Sequence, residues 1–379
     1  PHAGFGSPNR AGPLETGGVL RTDTGGHALS SVEGTLVAGA DMHVSAATVD
    51  ATRGRVIAAQ DITIDAHTGI ELAHALVQAG AGLSLQTQGR IGHDAGVLLA
   101  GTTASLRAAA LSNREGSIAA QDGLTVELDA GTLDNTGGHL ASQAGLSLAG
   151  RGRALQLSNA GGNISARDAL QLSIDSLDNT AGRVVALAGL RIEGGPIINK
   201  GGRLASQGDL SVDTAGERLD GVAGIFASTA GALSLRAGDA DLSGAALLAE
   251  GPLAVQAGDL RIDAAEVLSN DTVHLHAQAV QARAAGLQSP ADLHLEASSL
   301  AAEGAELRSG GHAEIQARAG LAMQRSTLQA HTVALDAGAA ALDATGARLQ
   351  VLSGATAATV RGTGIDSSGA QLHAARDLP

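Results

Sequence analysis

Cysteine, tryptophan and tyrosine are absent from the 379 residues, phenylalanine occurs only at Phe5 and Phe226, and the one lysine is Lys200. Without cysteine there is no thiol nucleophile, and without Trp or Tyr there is no aromatic platform for a sugar ring. An aromatic content of 1% is far from that of an ordinary globular core. No run of eighteen apolar residues exists, so no segment reads as a membrane-spanning helix. The balance of 24 basic against 38 acidic residues gives a net charge of −14. That charge favours solubility and argues against nucleic acid or an anionic membrane as a partner. Standard catalytic motifs are missing as well: there is no G-x-S-x-G elbow and no H-E-x-x-H. Lys200 precedes Gly201-Gly202 rather than the Ser or Thr of a Walker loop, and no G-G-x-G-x-D calcium series occurs. No cofactor is expected.

What the chain does have is glycine, 53 copies of it, and an apolar rhythm with a period of about twenty residues. Apolar-x-apolar pairs recur from Met42/Val44 and Ile62/Ile64 through Leu170/Leu172 to Leu293/Leu295 and Val333/Leu335, with Ala104/Leu106 and Ala313/Ile315 as weaker members. A second apolar station reads Val37, Ile57, Val77, Leu98, Ile118, Leu140, Ile164, Val184, Leu204, Phe226, Leu248, Leu268, Leu287, Leu307, Leu328 and Leu349. A third runs from Val49, Ile70 and Ile91 through Leu133, Leu157 and Leu177 to Leu219, Leu242, Ile262 and Val280, ending at Leu342. The pairs have period two, the signature of strand. Gly, Asn, Asp, Ser and Thr separate the stations, as in Leu133-Asp134-Asn135-Thr136-Gly137-Gly138, and read as bends.

Three short strands and three bends cannot bury an apolar face alone, whereas stacked copies close a continuous core. The expected fold is all-β: a three-sided parallel β-helix of about sixteen turns, each about 4.8 Å from the next. Residues 29–379 read as one continuous solenoid, and residues 1–28 as a lead-in or partial turn. A leucine-rich-repeat horseshoe shares the period but calls for an asparagine ladder after an L-x-x-L-x-L strand. Opening on Pro1-His2 and closing in mid-pattern at Leu378-Pro379, the chain reads as a fragment. Longer spacings around Arg151-Gly152-Arg153, Gly216-Glu217-Arg218 and Leu352 to Ala358 predict loops at the corners of the coil.

Three features could carry chemistry. His274, His294 and Glu314 are the middle residues of successive apolar pairs and should project outward in one column. Two imidazoles and a carboxylate at that spacing could chelate Zn²⁺ or Ni²⁺, or respond to acid; the alternative is a polar face that happens to carry histidines. Arg151 and Arg153 could form a basic knob for an acidic glycan or a partner, or simply a solvated loop. Asp41, Asp61, Asp122, Asp168 and Asp209 sit just before paired stations. A β-helix enzyme acting on polysaccharide would gather such acids on one face, whereas turn-closing acids would accept backbone N–H bonds.

The unit L-D-N-T-G-G-x-L-A-S-x-x-x-L-x-L, at Leu133–Leu148 and Leu177–Ile192 and, in the form Ile197 with Asn199-Lys200-Gly201-Gly202, up to Val212, resembles the hemagglutinin repeats of filamentous hemagglutinin. It is equally similar to the repeats of contact-dependent growth inhibition effectors of Gram-negative bacteria. The sharp form covers roughly residues 111–235; after Leu248 alanine replaces the Asn and Thr of the signature. The resemblance implies a right-handed β-helix from a large exoprotein secreted to the bacterial cell surface by an outer-membrane two-partner transporter. It implies a structural stalk, not an enzyme, that presents adhesive regions to a target-cell receptor or glycan, or carries a C-terminal toxin to a neighbouring cell. Zero cysteine suits that route, because a disulfide would block threading.

Overall fold

The computed structural model describes residues 13–151, 155–352 and 358–374. Its regular elements are short strands, and the chain is a parallel β-solenoid of about 17 turns, close to the sixteen expected. It divides into two compact units, one ending at Ala188 and the other starting at Gly189, each built in the same way.

In the first unit a turn begins with a four-residue strand such as Ser117–Ala120, bends, and continues into a longer run such as Gly123–Asp134. The short strands stack in one parallel sheet, in the register Leu98↔Ile118↔Leu140↔Ile164. The longer runs stack in a second, where Leu124 lies on Leu146, Val126 on Leu148 and Leu133 on Leu157. The coil is already under way before residue 29, because Leu14–Thr16 pairs with Thr35–Ala38 and Leu20–Asp23 with Met42–Asp50. The second unit repeats the plan, with Gly286–Ser289 and Leu293–Ala301 each stacked on the turns before and after.

One of the three expected bends is not a turn. Met42–Asp50 and Thr103–Ser112 run unbroken through two apolar stations, and their pairing registers shift between Ala46 and Thr48 and between Ala108 and Ala110. An inserted residue makes a strand change direction without giving up its ladder, so the corner costs few backbone hydrogen bonds.

Every apolar pair faces the core: Met42 and Val44 are 0% and 3% exposed, Leu293 and Leu295 0% and 2%. The second station departs from the sequence reading at four places. Leu36, Val56, Leu247 and Val267 are the buried members, and their neighbours Val37, Ile57, Leu248 and Leu268 lie on the outer face. Each site is an apolar doublet, which period two alone cannot orient; the register Val56↔Val77 and Val267↔Leu287 decides it. At the third station Ala240 and Leu260 align with Leu219 and Val280, so Leu242 and Ile262 belong to the following corner.

The corner leading into the second sheet carries the expected acids, with a different reach. Asp61 Oδ1 accepts the N–H of Gly82 at 2.7 Å, and Asp209 Oδ1 that of Ala232 at 2.9 Å. Each donor lies in the next turn, so the carboxylate fastens two turns together instead of closing its own.

Phe226 is the largest fully buried side chain and the one aromatic in the described core. It fits because Gly221 leaves room: a Cβ there would sit 2.8 Å from the Phe226 ring and 2.7 Å from Leu242 Cδ2. Gly221→Asn should therefore destabilise the second unit by about 1–3 kcal/mol through overpacking. Adding Phe226→Leu should recover part of that loss. Urea denaturation of both single variants and the double variant measures the coupling; simple additivity would refute the contact.

Candidate functional site

The repeat signature folds into a polar seam inside the first unit. Asn113, Asn135, Asn159 and Asn179 are all 0% exposed. Asn113 Nδ2 donates to Asn135 Oδ1, Asn135 Nδ2 to Asn159 Oδ1 and Asn159 Nδ2 to Asn179 Oδ1, each at 2.7 Å. The same amides donate to the carbonyl three residues on, Gly116, Gly138 and Gly162. These asparagines close the bend as the sequence suggests and, in addition, form a buried ladder from turn to turn that the sequence reading did not anticipate. Their neighbours add to the bend: Asp134 Oδ1 accepts from Thr136 N and Oγ1, and Asp178 Oδ1 from Thr180 N and Oγ1.

The two glycines of the signature have separate reasons. Gly137 stands at φ 64, the left-handed position, which Ala181 occupies at φ 53 in a later copy. Gly138 is required by close approach: a Cβ there would lie 2.1 Å from Asn113 O and 2.6 Å from Asn135 Oδ1. In the second unit Asn199 is also buried, with Gly202 three residues on. Later turns put Leu242, Ile262 and Ala282 at the equivalent corner, each followed after three residues by alanine. The signal for the ladder was present in the sequence as Asn and Gly three apart in successive copies, and bend propensity hid it.

On the outer face of the second unit, His274, His294 and Glu314 do stand in one column. The first two rings stack at 4.7 Å and 11°. His294 Nδ1 lies 3.3 Å from Glu314 Oε2, and its Nε2 4.0 Å from Asp292 Oδ2. His276 Nδ1 lies 3.3 Å from Glu296 Oε2 in the adjoining column. Stacking presents ring faces to each other, and among the described residues no three His, Asp or Glu side chains are placed to hold one metal ion. The stripe presents imidazoles and carboxylates side by side on the outer face. Partial burial holds the His274 pKa below its ordinary value, the charge of His294 adds to this, and Asp292 opposes it.

Arg151 is paired with acids of the preceding turn: its Nη1 is 3.2 Å from Asp129 Oδ1 and its Nε 3.5 Å from Glu127 Oε2. Arg153 lies outside the described residues. A shallow concavity of about 560 Å³ on the first unit, which sequence reasoning missed, has an alanine floor including Ala46 and Ala66 and a rim with Asp65, His67, Gln86 and Arg107. It arises where the strands bulge at the corner.

A family model described as the haemagglutinin repeat matches five overlapping stretches, residues 16–74, 62–127, 116–154, 152–214 and 214–270. The chain belongs to the haemagglutinin repeat family. No curated protein matches, and no solved structure matches. Haemagglutinin repeats form a structural and adhesin-type family, not an enzymatic one; they are associated with two-partner secretion, and their proteins are typically secreted or surface-exposed. No helix among the described residues is long and apolar enough to cross a membrane. The matched stretch of haemagglutinin repeats contains the asparagine seam and the concavity, while the imidazole stripe begins just beyond it.

Asn135→Ala removes a ladder amide and strips Asn159 Oδ1 of its donor. It should destabilise the first unit by about 2–4 kcal/mol, since each buried polar group left unpaired costs about 1–3 kcal/mol; chemical denaturation measures the loss. His294→Ala removes the positive neighbour of His274, so the His274 pKa should rise toward 6.5, read by nitrogen-15 NMR of the ring.

Proposed function

We propose that this chain is a stalk segment of a large secreted bacterial adhesin or contact-dependent toxin-delivery exoprotein, exported by a two-partner transporter. Its role is mechanical: it is a spacer that presents binding or toxin modules carried elsewhere in the parent protein. The observation that carries this reading is the distribution of the chain's interactions. Each turn spends its backbone hydrogen bonds, its apolar side chains and its buried asparagines on the turns before and after it, at intervals of about twenty residues. At the corners, Asp61, Asp209 and Asp292 each accept a backbone N–H of the next turn. Such acids serve connection between turns and leave little for acid–base chemistry. Membership of the haemagglutinin repeat family supports the same reading.

A spacer depends on the number of whole turns and not on any one of them. Deleting residues 160–179, one turn between Asn159 and its ladder partner Asn179, should leave export and target-cell binding or killing by the parent protein nearly unchanged. Deleting residues 160–169 breaks the register and should abolish export of folded protein. Secretion assays and cell-contact assays on both deletions check this. Loss of binding or killing with intact export after the whole-turn deletion would show that this segment is itself a recognition element.

A further inference from the structure

Among the described residues, His93 is the one ionisable side chain in the buried core. It occupies the corner position that asparagine fills in the following turns: its N–H donates to Ser112 O, as Asn113 N donates to Asp134 O and Asn135 N to Ser158 O. Its Nδ1 lies 2.8 Å from Asn113 Oδ1. The orientation of the Asn113 amide is set independently, because Nδ2 donates both to Asn135 Oδ1 and to Gly116 O. Asn113 Oδ1 is therefore an acceptor, and His93 must present Nδ1–H to it. That leaves Nε2 unprotonated, and it is buried without a hydrogen-bond partner. The preceding turn offers Leu72 at this corner, itself 0% exposed, and a Cβ on Gly96 would lie 2.7 Å from Nε2. Gly96 leaves room for the ring itself, and Nε2 has no bonded acceptor for a second N–H in this arrangement.

We propose that His93 is a proton-sensitive closure of the asparagine seam: neutral, it supplies the donor that ends the ladder against the apolar Leu72 turn, and protonated, it opens the seam at that turn. The all-asparagine turns that follow have no titratable member and stay closed. The charged groups around His93 lie toward the outside. Asp94, from its own strand end, accepts from Ser112 Oγ and Arg114 N, while Arg90 stands 3.7 Å from Asp94. Glu71, on the preceding turn, and Arg114, on the following one, are exposed. Burial lowers the His93 pKa from 6.5, and the Asn113 bond, the Asp94 charge and the Val97 backbone oppose it without cancelling it. A histidine whose folded pKa is depressed stabilises the fold above its unfolded value. The contribution is lost as pH falls below 6.5 toward the folded value, so acid should weaken this turn and base should not.

Hydrogen exchange on the whole chain, corrected for the intrinsic pH dependence of exchange, tests this. Between pH 7.5 and pH 5, protection of the amides at residues 93–97 and 113–117 should fall selectively relative to residues 135–138 and 159–162, because a folded pKa below 6.5 costs this turn stability as the pH drops. His93→Asn keeps a side-chain donor for Asn113 and removes the titration, so the selective loss should vanish. Equal protection of the two regions at both pH values would overturn the proposal, as would a selective loss that persists in His93→Asn. Should that variant fail to fold, the wild-type ring decides by nitrogen-15 NMR. Retention of the neutral Nδ1–H form to a pH well below 6.5 supports the proposal; titration near 6.5 within an intact turn overturns it.

Discussion

Everything in this molecule depends on one constraint: residue n must lie over residue n + 20 or so, in parallel register, because neither has another partner. A turn has no internal sheet of its own. Its backbone N–H and C=O groups are satisfied by the turns on either side, as when Asn135 N donates to Ser158 O, and its apolar side chains are dry only under their copies. This explains the composition. Large aromatic rings disturb a stack of like on like, and Phe226 is accommodated only where Gly221 gives up its side chain. Leu, Val, Ile and Ala stack on one another at little cost in shape.

The asparagine seam extends the same logic to polar groups. A primary amide offers one acceptor and two donors, enough to bond the turn before, the turn after and a carbonyl of its own corner. The arrangement is self-consistent only when copied, and it brings its own demand, a glycine three residues on to clear the approach of the neighbouring backbone. Every asparagine of the seam has its glycine, and the turns at Leu242, Ile262 and Ala282 have neither at the matching positions. Where Leu242, Ile262 and Ala282 take over the corner, alanine replaces the glycine, and the coil continues with an apolar corner in place of a polar one. The change in sequence texture in the second half is thus a change of corner chemistry within one architecture.

The paired station was fully legible in the sequence, because alternation over three residues has only one reading when one face is buried. The doublets at Leu36-Val37, Val56-Ile57, Leu247-Leu248 and Val267-Leu268 were not, since either member satisfies the pattern and only the neighbouring turn selects between them. The column of His274, His294 and Glu314 followed from register alone, whereas the stacking of the rings depends on side-chain torsions that spacing does not encode. The reading of Asp-Asn-Thr-Gly as a bend was right for Asp134, Asn135 and Thr136, but it did not reveal that Asn135 is buried in a ladder. Statistical preference places asparagine in bends, and a buried amide becomes favourable only when several are aligned.

The doublets have a consequence for how the coil is assembled. In most turns a one-residue slip would turn leucines out and serines in, which is penalty enough to forbid it. At Leu36-Val37 and Val56-Ile57, which lie directly over one another, either frame presents a hydrocarbon to the interior, so these segments do not encode their own phase. They inherit it from whichever adjoining segment has already locked, and a chain with adjacent ambiguous segments has to be read outward from its unambiguous ones.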